Sequence, residues 1–317
     1  MTFPEILLTR ELRPLGMRRQ LQTWHANGVV EQLLPGAYVR TTELRSLGPD
    51  DRYRLLVIAT ALLFPSDQFS HDSAATLWRL PSIGPWPAAV HALAPRSGGG
   101  RSTARIVRHG IGLDPSATTL ERVNVTSLVR TLADVATGPR FGRAVAMLDD
   151  GLRPPIEGDF RLGLTTPTKD AVLEVLRSLG SVPGYARGNL AIDFADGRSQ
   201  SAGESLSRVQ MHALRLPAPD LQVSFYDDAG FIGDVDFYWP ELGLIGEFDG
   251  HSKYGDARRF ARHLSSQQVL IAEKEREDRL RAVSGGFVRW NWRTAVNRRA
   301  LGQLLAARGL RPIRIAR

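Results

Sequence analysis

Cysteine is absent from the 317 residues. That excludes a disulfide-stapled scaffold, a thiolate zinc site and a cysteine nucleophile. Long apolar runs are missing too. The longest, Leu55–Phe64, reaches about half of the ~20 residues a membrane-spanning helix needs. The opening text MTFPEILLTREL sets Glu5 inside its short apolar stretch and lacks a basic region followed by a long apolar one. No export signal is expected there, so the cytoplasm is the expected location and a membrane is not an expected partner. Lysine is scarce: of 41 basic residues, only Lys169, Lys253 and Lys274 are lysine.

What is present is ordinary globular material with an uneven charge. Hydrophobic residues make up 43% and charged residues 23%, which excludes a largely disordered chain. At 317 residues, two or three domains are expected. Net charge is +8 and the sequence pI about 10.3, so the expected partner is acidic, nucleic acid above all. From Arg279 to the end there is no Asp or Glu. Such an arginine-rich tail suits a phosphate backbone or, as simply, a solvated surface. No aromatic RNA-binding motif accompanies it, which counts against an RNA-binding module.

Residues 1–45 read as a small unit. Thr9 opens a short helix through Leu12, and Pro14 and Gly16 break it. A second helix is expected from Met17 to Ala26, ending at Asn27-Gly28. Met17, Leu21 and Trp24 share its apolar face, which leaves Arg18, Arg19, Gln20 and Thr23 to contact DNA. VVEQLL and AYVRT, joined at Pro35-Gly36, complete a winged helix-turn-helix pattern. The text PLGMRRQLQTWHANGVVEQLLPGAYV resembles the N-terminal domain of AbiEi-type antitoxins and related actinobacterial regulators. That likeness implies DNA binding, and it adds a cognate toxin and a homo-oligomer to the candidate partners.

Residues 46–195 read as a mixed α/β middle region. Helices are expected at Asp51–Phe64, within HDSAATLWRL, from Ser127 to Ala136 and at Asp170–Leu179, with strands at Ala89–Leu93, Ala104–His109 and Val123–Thr126. The glycine run 98–100 lacks the Gly-Lys-Ser/Thr ending of a phosphate loop and reads as a turn. His71, with no acid near it in a recognisable pattern, reads as a capping or packing histidine. FSHDSAATLWRLP and VNVTSLVRTLADVA are similar to the middle part of the same regulators, and the likeness transfers no chemistry.

The C-terminal region, 196–317, carries the chemistry. GDVDFYWPELGLIGEFDG reads as two strands about a turn at Pro240–Gly243. A symmetric hairpin sets Asp236 opposite Glu247, and Asp234 opposite Asp249. Opposed like charges destabilise a sheet, so something positive is expected among them. A hard divalent cation with oxygen ligands is the simplest candidate. A one-residue slip would part the acids, and a solvated acidic face is the plain alternative. Upstream, Ser201 and Glu204 form a capping box. The same helix, packed beside the hairpin, would add Glu204 to the acids. Downstream, a helix from Gln268 to Val283 holds seven successive charges, Glu273–Arg279, with four-apart pairs such as Glu275–Arg279 and Glu277–Arg281. Lys253 and Lys274 both fall near the acids.

SAGESLSR, LPAPDLQ, GDVDFYWPE, GEFDGHSKY, AEKEREDRLR and FVRWNW, in that order, resemble the Vsr-like branch of the PD-(D/E)xK nuclease superfamily. The likeness implies a restriction-endonuclease-like αβββαβ core, giving a multidomain α+β chain overall. By resemblance, Asp236 matches the first acid of the family's core, Glu247 the second and Glu204 the helix acid. These three are the implied ligands of Mg²⁺ or Mn²⁺. The position of the expected core lysine holds Asp249, so Lys253, then Lys274, then His251 are the substitutes. Glu247, Asp249, Lys253 and Lys274 are thus the catalytic candidates. The implied activity is metal-dependent hydrolysis of DNA phosphodiester bonds in defence, repair or toxin–antitoxin biology. The alternative is a non-cleaving antitoxin-like regulator with a degenerate nuclease fold.

Overall fold

The structure, a computed structural model, describes residues 3–97, 101–250 and 266–313. The chain is a multidomain α+β protein of two compact units, Met1–Ala195 and Asp196–Arg317. Among the described residues, no helix is long and apolar enough to cross a membrane. The glycine run 98–100, His251, Lys253, Arg314 and Arg317 lie outside the described residues.

The first unit opens with β1 (Leu7–Leu8), α1 (Thr9–Leu12), α2 (Arg18–Ala26), and a hairpin of β2 (Val30–Leu34) and β3 (Ala37–Arg40). The strand order is β1-β3-β2, antiparallel throughout. Gly36 takes φ +97° at the turn, where a side chain would be strained. After α3 (Thr41–Ser46), helix α4 (Pro49–Leu63) lays Ala59 against Leu8, Leu34 and Ala37, so this helix completes the core of the small sheet.

Next comes a five-stranded mixed sheet. Its strands are β4 (Gln68–Phe69), β5 (Val90–Leu93), β6 (Ile106–His109), β7 (Thr118–Leu120) and β8 (Val123–Val125), in the order β6-β5-β4-β8-β7. Helices α5 (His71–Leu77), α6 (Leu128–Ala136), α7 (Phe141–Leu152), α8 (Lys169–Leu179) and α9 (Tyr185–Phe194) accompany it. The Ser127 hydroxyl caps α6 by accepting from the Arg130 amide at 3.3 Å. Helices α7 and α9 have no such side-chain cap, and the sequence carried no start signal for either.

The second unit runs α10 (Ala202–Ala213), β9 (Asp220–Asp227), β10 (Gly230–Trp239), β11 (Leu244–Asp249), α11 (Ser266–Val283), β12 (Gly286–Asn291), α12 (Trp292–Ala295) and α13 (Arg298–Ala306). The sheet order is β12-β11-β10-β9, with only the β11–β12 pair parallel. One sheet face buries Ile232, Val235, Ile245 and Phe287 with Leu280 of α11. On the other face, Phe248 meets α10 so closely that a Cβ on Gly203 would lie 2.0 Å from its ring. The Trp290 indole donates to the Ser207 hydroxyl of α10 at 2.8 Å.

Candidate acidic site

The hairpin register is that of the symmetric turn. Trp239 faces Leu244, Tyr238 faces Ile245 and Phe237 faces Gly246. The ladder stops there. Asp236 turns its carboxylate onto the next strand, where Oδ2 accepts the Phe248 amide at 2.8 Å. The expected opposition of Asp234 to Asp249 is not made. Asp234 is exposed and accepts from the Ser224 hydroxyl at 2.6 Å, while exposed Asp249 pairs with Asn291 of β12. Asp234 and Asp249 thus stand in solvent, and only Asp236 and Glu247 of the hairpin acids are buried.

Glu204 and Asp236 form one group. Both are buried, at 1% and 7% exposure. Glu204 makes one half of the expected capping box, its amide donating to Ser201 Oγ at 3.2 Å, while its Oε1 accepts from the Ser201 hydroxyl at 2.8 Å and not from the Ser201 amide of the full motif. Oε2 accepts the Gln200 amide at 2.8 Å. Gln222 of β9, at φ +52°, then aims its side-chain Nε2 between the two acids, 3.3 Å from Glu204 Oε2 and 3.5 Å from Asp236 Oδ1. The capping and clustering roles of Glu204 therefore hold together.

Glu247 forms a second group, and it is neutralised by arginine. Arg276 of α11 donates to Oε1 at 2.7 Å and Arg289 of β12 donates to Oε2 at 2.8 Å. Glu273 accepts from Arg289 at 2.9 Å and from Arg276 at 3.3 Å, while Glu277 lies 3.3 Å from Arg289. Burial works against the Arg276 and Arg289 charges. Glu247 and Glu273 outweigh it for Arg276, and Glu247, Glu277 and Glu273 for Arg289, raising both guanidiniums above their ordinary range. The charge run of α11 is therefore only partly a solvated face. Glu277 and Arg281 pair as expected, but Arg279 leaves Glu275 for Asp227 of β9 at 2.6 Å. Lys274 is exposed on α11, and Lys253 and His251 lie outside the described residues.

Two of the three implied metal ligands fit a hard cation. Glu204 and Asp236 present carboxylate oxygens from different elements to one point, and the positive end of an amide already stands there. Glu247 does not join them, because both its oxygens are on guanidiniums. Among the described residues, no group of three or more His, Cys, Asp or Glu side chains is placed to hold a metal.

In the first unit, α2 buries Leu21 and leaves Arg18, Arg19, Gln20 and Thr23 exposed along one helix. Sequence reasoning missed a cluster in the same unit. His71, His91 and His109 stack beside Asp134, so His71 is a packing histidine, one of the two roles expected for it, within a cluster that was not expected. Their spacing along the chain matches no motif, so no local signal could have joined them.

No family model matches the chain. It is similar to two Mycobacterium tuberculosis proteins, uncharacterized protein MT2308 of strain CDC 1551 and uncharacterized protein Rv2248 of strain H37Rv. Each is 34% identical over 133 residues, covering 41% of this chain and 45% of the relative. The chain thus spans under half the length of these relatives.

Proposed function

We propose that the protein binds DNA through its N-terminal helix-and-hairpin region and carries an endonuclease-like phosphodiesterase site in its C-terminal unit. The observation that carries this reading is the convergence of Glu204 and Asp236 on Gln222. Two buried carboxylates from a helix and a strand meet at one point, in a unit whose element order is αβββαβ. A magnesium or manganese ion would supply a Lewis acid that lowers the pKa of an attacking water. Glu204 and Asp236 would hold it, and the Ser201 hydroxyl would fix the Glu204 rotamer. Arg276 and Arg289 offer positive charge near the same strand end for a bound phosphodiester. Exposed Arg18 and Arg19 on α2 supply the sequence-independent attraction to the DNA backbone.

A second reading has its own observation. The clamp of Arg276 and Arg289 on Glu247, with Asp249 in the lysine's place, favours a non-cleaving DNA-binding regulator built on a nuclease-like fold. One experiment separates the two. Purified full-length protein is incubated with single-stranded, nicked and duplex DNA in Mg²⁺ or Mn²⁺. The leading reading expects cleavage that is lost in Asp236→Asn and Glu204→Gln while DNA binding remains. Binding without cleavage in any DNA form supports the regulator. Cleavage that survives both substitutions removes the assigned site.

A further inference from the structure

The first unit contains a second polar site, and it is built from five separate segments. His71 opens α5, His91 lies on β5, His109 ends β6, Asp134 lies on α6 and Arg143 on α7. The imidazoles of His71 and His109 stack with centroids 3.8 Å apart. His91 Nδ1 and His109 Nε2 lie 2.9 Å apart and share a hydrogen bond. His71 holds φ +50°, a conformation that non-glycine residues adopt at a cost of about 1 kcal/mol or more. Its Nδ1 is 2.9 Å from Ser70 Oγ and 3.7 Å from Asp134 Oδ2. His71, His91, Asp134 and Arg143 border a cavity of about 320 Å³, lined also by Trp86, Arg140 and Met147, and His109 backs His71 and His91 from outside that lining.

The polar groups here are incompletely matched. Asp134 is wholly buried, and its Oδ1 accepts from Arg130 at 2.9 Å, but its Oδ2 has no hydrogen-bond donor. Buried Arg130 leaves Nη2 without an acceptor. Arg143 spends one nitrogen on Asp72 and another on the Pro85 carbonyl, lies over the Trp86 ring at 4.8 Å, and leaves Nε without an acceptor. Unmatched buried polar atoms of both kinds call for a ligand that accepts and donates. Among the charged groups that line the cavity, Arg140 and Arg143 balance Asp72 and Asp134, and the open atoms Arg143 Nε and Asp134 Oδ2 ask for an acceptor and a donor side by side. A cation does not suit the pocket. The hydrogen-bonded His91–His109 pair and the face-to-face His71–His109 pair leave no three nitrogens aimed at one point, and no metal-holding group occurs among the described residues.

We propose that this pocket binds a phosphate monoester or hydrogen phosphate. Its oxygens accept from Arg140, from Arg143 Nε and from imidazole N–H groups of His71 or His91, and its remaining hydroxyl donates to Asp134 Oδ2. A fully ionised oxyanion such as sulfate lacks that donor and leaves Asp134 facing a second anion. The cavity volume falls at the low end of small-molecule sites, which leaves room for a compact organic group on the phosphate.

The test uses the full-length protein and inorganic phosphate near pH 6.5, followed by calorimetry and by the imidazole carbon-bound proton resonances. Parallel arms use sulfate, adenosine 5′-monophosphate, zinc and a short DNA duplex. Saturable phosphate binding that shifts the His71 and His91 resonances is expected, with sulfate at least tenfold weaker because it brings no donor to Asp134 Oδ2. Tighter binding of the monophosphate than of phosphate would place the organic group in the cavity. Arg140→Gln, on an exposed residue, should weaken phosphate binding about tenfold without lowering the melting temperature. Any of four results would overturn the proposal: no saturable phosphate binding, equal sulfate binding, zinc alone perturbing the histidines, or perturbation by the duplex but not by free phosphate.

Discussion

At the scale of single residues, two positions decide the C-terminal unit. Gly203 has no room for a side chain. A Cβ there would enter the Phe248 ring, and both helix and strand backbones are fixed by their own ladders. Gly203→Ala should destabilise the unit by about 2–3 kcal/mol, as overpacking in a closed core does, and urea unfolding monitored by tryptophan fluorescence will show it. Arg276 is the other. It holds one oxygen of Glu247 and one of Glu273. Arg276→Gln leaves Glu247 with Arg289 alone, so a stability loss of about 1–2 kcal/mol is expected from the partly buried carboxylate. If the arginine clamp keeps Glu247 from a neighbouring cation, the same change should raise Mn²⁺ affinity measured by calorimetry. Unchanged or weaker Mn²⁺ uptake would show that the guanidinium does not compete with metal.

At the scale of elements, the hairpin was legible and its surroundings were not. The turn at Pro240–Gly243 and the alternation of apolar residues fixed the β10–β11 register, because a slip of one residue would expose Val235 and Ile245. The repulsion argument did not carry over, because the β10–β11 ladder ends at Phe237 and Asp234 and Asp249 stand exposed; Glu247 has positive partners because it is buried. Their identity could not be read, since Arg276 and Arg289 come from a helix and a strand 29 and 42 residues further along the chain. Local spacing assigned Arg279 to Glu275, whereas the tertiary fold gives it Asp227, because a helix pair at the surface competes weakly with a second bidentate carboxylate. The three histidines were illegible for the same reason, as parallel pairing of β5 with β6 is what sets His109 near His91. Helix α2 was legible because Leu21 and Trp24 mark its inner face and leave Arg18 and Arg19 outside. Arg18→Ala with Arg19→Ala should weaken duplex binding across sequences and reduce the salt dependence of log K by about 2. An unchanged salt slope would take those two arginines off the DNA backbone.

At the scale of the whole molecule, the two units differ in how they meet acid. In the first unit, burial and neighbouring positive charge push His91 and His109 down to about 4 from an ordinary 6.5, and His71 well below its ordinary value. Between pH 6.5 and 4 the unfolded chain binds protons that these folded imidazoles refuse, so their contribution is complete above pH 6.5 and is lost as pH falls toward 4. Two carboxylates facing the cluster act in the opposite sense. Burial raises Asp134 to about 6 from 3.8 and also raises Asp72, so each holds a proton in the fold that the unfolded chain releases. Three histidines against two carboxylates leave a net loss of stability on acidification that sets in near pH 6.5 and continues as pH falls toward 4. In the second unit, the resolved carboxylate shifts run downward. Burial opposes the Asp196 charge but its bonds with Arg198 prevail, and Arg279 lowers exposed Asp227, so their contribution is lost only below about pH 3.8. Acidification from pH 6.5 to 4.5 should therefore lower the melting transition reported by Trp78 and Trp86 well before that reported by Trp239 and Trp290. His91→Gln should flatten the first dependence and leave the second alone. Single-tryptophan variants scanned by fluorescence at each pH will read both transitions, and a first unit that melts at the same temperature at pH 6.5 and 4.5 would mean the imidazoles are not held neutral by the fold.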